Sequence, residues 1–68
     1  MLIDNLKDFL ALRPFRPFAI HLASGQTIRV DQPERLSISP DRTRIAVFTA
    51  DNRFHLLEVS QITDLKVS

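Results

Sequence analysis

The side chains that could perform acid–base or metal chemistry are few and spread along the chain. The candidates are His21, His55, Asp31, Glu34 and Glu58. General acid–base catalysis requires such groups to converge in one pocket, and no spacing here sets a carboxylate beside a histidine. The two histidines are too far apart for an H-x-x-x-H site, and the absence of cysteine excludes thiolate ligands. We therefore predict no catalytic residues and no metal site.

Glycine-dependent catalytic and cofactor motifs are also missing. The chain contains a single glycine, Gly25, whereas a nucleophile elbow, a P-loop and a dinucleotide-binding turn each contain at least two. The sequence therefore favours a protein that is not an enzyme and binds no cofactor.

The net charge of the chain is too small to indicate a nucleic acid or an anionic membrane as a partner. Nine basic residues against eight acidic ones give a formal net charge of +1. Attraction to nucleic acid or to an anionic membrane would need a larger excess or a clear basic cluster. No apolar run is long enough to span a bilayer, and the first segment carries Asp4 and Asp8 where a secretory signal would be uncharged. We expect a cytoplasmic protein with no membrane partner.

A short chain must obtain its stability from few sources. The 68 residues can form one domain, which buries only about 60% of the surface that the unfolded chain exposes. Small domains commonly add disulfides, a metal or a partner chain. Because the chain lacks cysteine, tight packing and association with another chain remain as the sources of added stability.

The amino-terminal segment, residues 1–12, is predicted to be a helix. Its apolar residues recur at spacings of three and four, as on one helical face. They are Leu2, Ile3, Leu6, Phe9 and Leu10. Pro14 ends the helix, because the residue before a proline is pushed out of the helical conformation. Residues 13–17 contain P-x-x-P flanked by arginine, as in ligands of SH3 domains, but their place between two packed elements favours a hinge.

From Phe18 onward the apolar residues alternate with polar ones, which predicts β-strands. A three-residue loop at 23–25 puts Gly25 in the left-handed position that such loops need. This loop sets Ile20 opposite Ile28. His21 then lies beside Thr27 on the outward face.

Further turns at 32–34, 41–42 and 51–52 extend the pairing to five strands. They set Val30 opposite Leu36 and Val47 opposite Leu56, and they turn His55 outward, opposite Phe48. Two apolar rows then face the core, and opposed side chains of this kind stabilise a sheet. The rows are Phe18, Val30, Leu36, Val47 and Leu56, and Ile20, Ile28, Ile38 and Ile45.

Residues 18–68 are therefore predicted to form an antiparallel meander of five to six strands, with a short last strand at Leu65 and Val67. A twisted meander with one buried face tends to curl until its edges meet. We predict a mainly β fold, a partly open SH3-like or Sm-like barrel with the helix at one end. The alternative is an α+β layout, an open sheet with the helix across one face. In either case residues 1–68 are a single domain.

Two groups of residues on the predicted outer face are candidate binding surfaces. Four apolar side chains cluster on the fourth and fifth strands, and a contiguous exposed apolar patch usually serves an interface. They are Ala46, Phe48, Leu57 and Val59. Elsewhere on this face His21, Arg29 and Arg44 could contact RNA, although single-strand binding also uses exposed aromatic platforms, and most phenylalanines are assigned to packing.

Most of the chain resembles a known group of sequences. P-F-R-P-F-A-I-H-L-A-S-G at 14–25, V-x-x-P-E at 30–34 and F-H-L-L-E-V-S-Q-I-T at 54–63 are similar to a group of small uncharacterised bacterial proteins with the pattern P-F-x-P-F-x-I-x-L-x-D-G. This chain has Ser24 where the group has Asp, and Gln32 where the group has His. The resemblance supports the fold and implies no activity.

The sequence thus favours a small non-catalytic interaction or assembly module, which would bind itself or another protein. The alternative is an RNA-binding regulator of the Sm-like type, which the near-zero net charge disfavours.

Overall fold

One helix precedes six antiparallel strands in residues 2–67, the part of the chain that the computed structural model describes. The elements are α1 (Leu2–Ala11), β1 (Phe18–Leu22), β2 (Thr27–Val30), the 3₁₀ helix η1 (Pro33–Arg35), β3 (Leu36–Ile38), β4 (Arg44–Phe48), β5 (Phe54–Glu58), the 3₁₀ helix η2 (Val59–Gln61) and β6 (Ile62–Val67). Residue 1 of the predicted helix and residue 68 of the predicted strand region lie outside the described residues.

Helix α1 buries Ile3 and Leu6 against the strands. It ends at Ala11, as expected from the position of Pro14. The Arg13 guanidinium donates to the carbonyl oxygens of Leu10 and Leu12, at 3.1 and 2.8 Å. A cation in this place satisfies carbonyl groups that have no partner within the helix. Within residues 2–67, no helix combines the length and apolar character needed to cross a bilayer.

Strands β2, β1 and β6 form the first sheet, in that order. The predicted register of β1 and β2 is confirmed, with Ile20 opposite Ile28 and Phe18 opposite Val30. Gly25 has a φ of 91°, as the three-residue loop requires. Strand β6 pairs with the other edge of β1, so the end of the chain returns to the strand that follows the hinge.

Strands β3, β4 and β5 form the second sheet. The predicted pairing of β3 with β4 is confirmed, with Leu36 opposite Val47. The predicted pairing of β2 with β3, which set Val30 opposite Leu36, is wrong. Helix η1 replaces the hairpin turn: the Leu36 amide donates to the Pro33 carbonyl, and the chain moves from one sheet to the other.

The predicted register of β4 and β5 is also wrong, by one residue. Val47 lies opposite His55, and Leu56 lies opposite Ala46. The Thr49 amide donates to the Arg53 carbonyl, which closes a loop of three residues, 50–52, instead of the predicted two. Because side chains alternate between faces, a shift of one residue turns every side chain of β5 to the other face.

The two sheets pack their apolar faces together with α1 in one core. The buried residues are Ile3, Leu6, Phe18, Ile20, Leu22, Ile28, Val30, Leu36, Ile45, Val47, Leu57 and Ile62. No ladder joins the two sheets in residues 2–67. The helix-first, mainly antiparallel β organisation is therefore confirmed. Residues 2–67 form two open sheets and not the predicted SH3-like or Sm-like barrel, because β2 and β3 do not pair, so the layout matches the α+β alternative.

Candidate functional site

An apolar patch lies on the outer face of the second sheet, away from the core. Phe48 of β4 lies opposite Phe54 of β5, and Ala46 lies opposite Leu56. These four residues are called the outer patch below. Phe48, Phe54 and Leu56 expose 54%, 56% and 62% of their surface, so more than half of each large apolar residue is open to water.

The two phenylalanines of the outer patch contact each other. Their ring centroids are 5.0 Å apart and the rings are tilted by 50°, which is within the range of favourable aromatic pairs. Helix α1 contributes its apolar side to the core with Phe18 and leaves this face uncovered. The outer patch is thus a preformed pair of rings beside an exposed leucine, the kind of surface that protein interfaces bury.

Of the four interface residues predicted from the sequence, the structure places two on the outer face and two in or against the core. Ala46 and Phe48 lie on the outer face, as the register of β3 and β4 predicts. Leu57 lies in the core with 7% exposure, and Val59 is half-buried on η2 against the same core. The shift in β5 causes this change, because it exchanges the faces of neighbouring residues.

Sequence reasoning missed Phe54 and Leu56, which the shift places outside. The signal that could have identified them is Asn52, which has a φ of 70°. Asparagine tolerates the left-handed conformation better than most residues. At the third position of a three-residue loop it plays the part that Gly25 plays between β1 and β2.

The three residues predicted for RNA binding are not brought together. His21 and Arg29 lie on the outer face of the first sheet, opposite Thr27 and Ala19. Arg44 belongs to the second sheet, opposite Glu58. Binding of RNA stays a prediction.

A groove of about 530 Å³ runs between β2 and the β4–β5 hairpin. Its polar lining includes Thr27, Arg29, Asp31, Thr49, Arg53 and His55. His55 was predicted to face outward, but it shares the inner face of β5 with Leu57 and is half-buried at the mouth of the core.

Charged residues of opposite sign form two ion pairs in this groove. The Arg29 Nε lies 3.5 Å from an Asp31 carboxylate oxygen, and the Arg53 Nε lies 3.3 Å from that of Asp51. Exposed ion pairs of this kind contribute little energy, and they cancel the local excess of either sign. The groove therefore concentrates no charge for a phosphate or a cation.

Two turn carboxylates have lowered pKa values. The Ser39 hydroxyl, the Thr43 amide and the Thr43 hydroxyl donate to Asp41 at 2.7, 3.1 and 2.8 Å. These hydrogen bonds, of which the one from Ser39 has the largest effect, hold the pKa of Asp41 below its ordinary value. A hydrogen bond from Thr49 does the same to the pKa of Asp51. Both carboxylates hold hairpin turns in shape, so turn geometry accounts for the shifts.

Residues 2–67 bring together no group of three His, Cys, Asp or Glu side chains that could hold a metal ion. Comparison with protein-family models, curated proteins and solved structures gives no match to this chain. The outer patch is the surface feature whose composition departs most clearly from that of an ordinary solvated sheet.

Proposed function

We propose that the protein is a small non-catalytic interaction module, which docks on another protein surface through the outer patch. The observation that carries the proposal is the pair of contacting phenylalanines, each more than half exposed, with Leu56 beside them. Aromatic residues dominate the energetics of protein interfaces. Burying these three side chains would remove more apolar surface from water than any other exposed group on the second sheet offers.

The size of the domain supports the same role. A chain of 68 residues has a small core, and a partner that binds only the folded state stabilises it by mass action. The packing of two open antiparallel sheets also supports the SH3-like class of fold. This class assignment carries no function by itself, so the proposed role rests on the outer patch and on the small size of the domain.

Photo-crosslinking in the source cells tests the proposal. Phe48 is replaced by the photoreactive amino acid benzoylphenylalanine, which keeps an aromatic ring on the outer face. The matched control carries the same probe at Lys66, an exposed residue of the first sheet opposite Ala19.

We expect light-dependent protein adducts from position 48 that are absent or much weaker from position 66, whether the crosslinked protein is a second copy or a different chain. Equal labelling from both positions, or none from position 48, would contradict the proposal.

A further inference from the structure

A shallow depression of about 140 Å³ adjoins the outer patch on the outer face of the second sheet. Its lining includes Ala46 and Leu56 of the patch and Ser37 beside them. Ala46 lies between Ser37 on β3 and Leu56 on β5, and its side chain is only a methyl group. The centre of the sheet is therefore low at Ala46, and the contacting rings of Phe48 and Phe54 stand next to it on the same two strands.

The depression and the ring pair are spaced like two side chains on one face of a helix. Ala46 and Phe48 are two positions apart on a strand, which sets their Cα atoms about 6.8 Å apart. Residues i and i+4 of a helix are separated by about 6 Å along its axis and lie on the same face. A helix that runs along β4 can therefore set one apolar side chain into the depression and the next against the two rings.

The backbone requirements of the occupant also favour a helix. The face of a sheet presents side chains, because the backbone donors and acceptors lie within its plane. An extended segment laid on this face would cover amide and carbonyl groups that have no partner, which costs free energy. A helix pairs these groups internally, so it can bury an apolar side on the outer patch without that cost.

The area of the outer patch suits one helix better than a whole domain. Phe48, Phe54 and Leu56 are each more than half exposed, which leaves roughly 300 Å² open at about 200 Å² for each large side chain. A standard interface buries about 800 Å² on each partner. Arg44 lies opposite Glu58 in the next row, and this charged row ends the apolar surface. The patch therefore has room for two apolar layers of a helix, and a second copy packed face to face would fill less than half of a standard interface.

We propose that the partner of the outer patch is a single amphipathic helix of another protein. Its apolar side chains at positions i and i+4 bind the depression at Ala46 and the rings of Phe48 and Phe54, while its opposite side is polar and faces water. Recognition of a helix through a few apolar anchors is a common mode of peptide binding. Because the buried area is small, the contact is reversible. This inference rests on the proposed function and adds the class of partner and the way it fits.

Selection from a library of random linear peptides of about 20 residues, long enough to form a helix, tests the class of partner. The library is selected on the intact chain, and peptides that also bind the Phe48→Asp variant are removed. We expect the enriched peptides to carry apolar residues at i and i+4 with polar residues between them, and to gain helical circular dichroism when they bind. Enriched peptides that alternate with a period of two, or a library with no binder that depends on Phe48, would overturn the proposal.

Filling the depression tests its role without removing apolar surface. Ala46→Leu adds apolar atoms and occupies the space that one anchor needs, so we expect the Kd of an enriched peptide to rise at least about tenfold. The matched control is Ala19→Leu, the same change on the outer face of β1, the central strand of the first sheet. This control should change the Kd by about twofold or less. If Ala46→Leu binds as tightly as the unmodified chain, the depression is not an anchor site and the proposal is overturned.

Circular dichroism and urea unfolding verify that both leucine variants are folded. If Ala46→Leu is unfolded, Leu56→Glu takes its place, because Leu56 is exposed and lies on the edge strand β5. The same loss of binding is expected, since the carboxylate would stand beside the depression. Unchanged binding to folded Leu56→Glu would overturn the proposal in the same way.

Two further measurements separate this proposal from the proposed function. A dimer in sedimentation equilibrium that Phe48→Asp dissociates would make a second copy the occupant and overturn the helix. Photo-crosslinking from position 48 to another protein, together with no helical binder from the library, would leave the interaction role standing without the helix. If position 48 gives no adduct in cells, the proposed function itself fails.

Discussion

At the scale of single residues, Asp41 shows how one carboxylate organises a turn. It accepts hydrogen bonds from the Ser39 and Thr43 hydroxyls and from the Thr43 amide. Local bonds of this kind are the reason that aspartate is frequent in turns. The following residue, Arg42, has a φ of 62°, so the carboxylate helps to hold a backbone conformation that arginine disfavours.

The lowered pKa of Asp41 makes its contribution to stability dependent on pH. A carboxyl group whose pKa is lower in the folded state stabilises the fold above its unfolded pKa, near 3.8, and loses that effect as the pH falls through the folded pKa. We expect Asp41→Ala to lower the free energy of unfolding at neutral pH. The difference from the unmodified chain should shrink below about pH 3.8.

Urea unfolding at a series of pH values measures this difference. Asp41→Asn, which keeps an acceptor oxygen without the charge, is the matched control. Its free energy of unfolding should change less with pH in the acidic range than that of the unmodified chain. A difference that stays constant through the acidic range would mean that the charge of Asp41 contributes nothing.

Arg35 connects η1 to the β4–β5 hairpin. Its guanidinium donates to the Thr49 carbonyl at 3.1 Å, while its Nε is buried without a partner. We expect Arg35→Ala to lower the free energy of unfolding by about 1 to 3 kcal/mol, because it removes a charged hydrogen bond and leaves a carbonyl without its donor. Arg35→Met should cost less than Arg35→Ala, since it keeps the apolar stem that alanine lacks.

Thermal and urea unfolding compare these variants with Glu34→Ala, a change at the exposed neighbouring residue that should stay within about 0.5 kcal/mol. Equal losses for the two Arg35 variants would show that the apolar stem of Arg35 contributes nothing to stability.

At the scale of elements, the register of β5 makes opposite predictions for two neighbouring leucines. Leu57 is buried with 7% exposure, and Leu56 is 62% exposed. We expect Leu57→Ala to cost about 2 to 5 kcal/mol of stability. Leu56→Ala should change it by about 0.5 kcal/mol or less.

The two variants are matched in chemistry and differ by one position, so each is the control for the other. Urea unfolding is measured at low protein concentration, where association does not add to stability. A larger loss at Leu56 than at Leu57 would restore the register that the two-residue turn predicted.

At the scale of the whole molecule, one small core holds two sheets and a helix. Domains of this kind are stable by only about 5 to 15 kcal/mol, and the shortest lie near the lower end. Ile28 is 2% exposed and lies opposite Ile20. We expect Ile28→Ala to cost about 2 to 5 kcal/mol, enough to populate the unfolded chain at room temperature.

Circular dichroism and a urea titration measure the loss. Thr27→Ala, on the opposite face of the same strand, is the control and should cost about 1 kcal/mol or less. A folded Ile28→Ala protein with unchanged stability would mean that this position does not face the core.

The amino-acid sequence by itself determined the local features of this protein. Apolar spacing gave the helix, Pro14 gave its end, and the loop containing Gly25 gave the register of β1 and β2. Each of these depends on residues that are close in sequence, so local conformational preferences decide them.

The tertiary structure decided how the strands divide between two sheets and which face of β5 is buried. Residues 32–34 could form a hairpin or lead the chain into another layer, and only packing against the rest of the core selects η1. Residues 50–52 admit loops of two or three residues, which differ by one step of register. Burial of Leu57 beside Ile45 favours the longer loop, and this choice exposes Phe54 and Leu56. The candidate site could not be read completely from the sequence, because both faces of β5 contain leucine and only the assembled core distinguishes them.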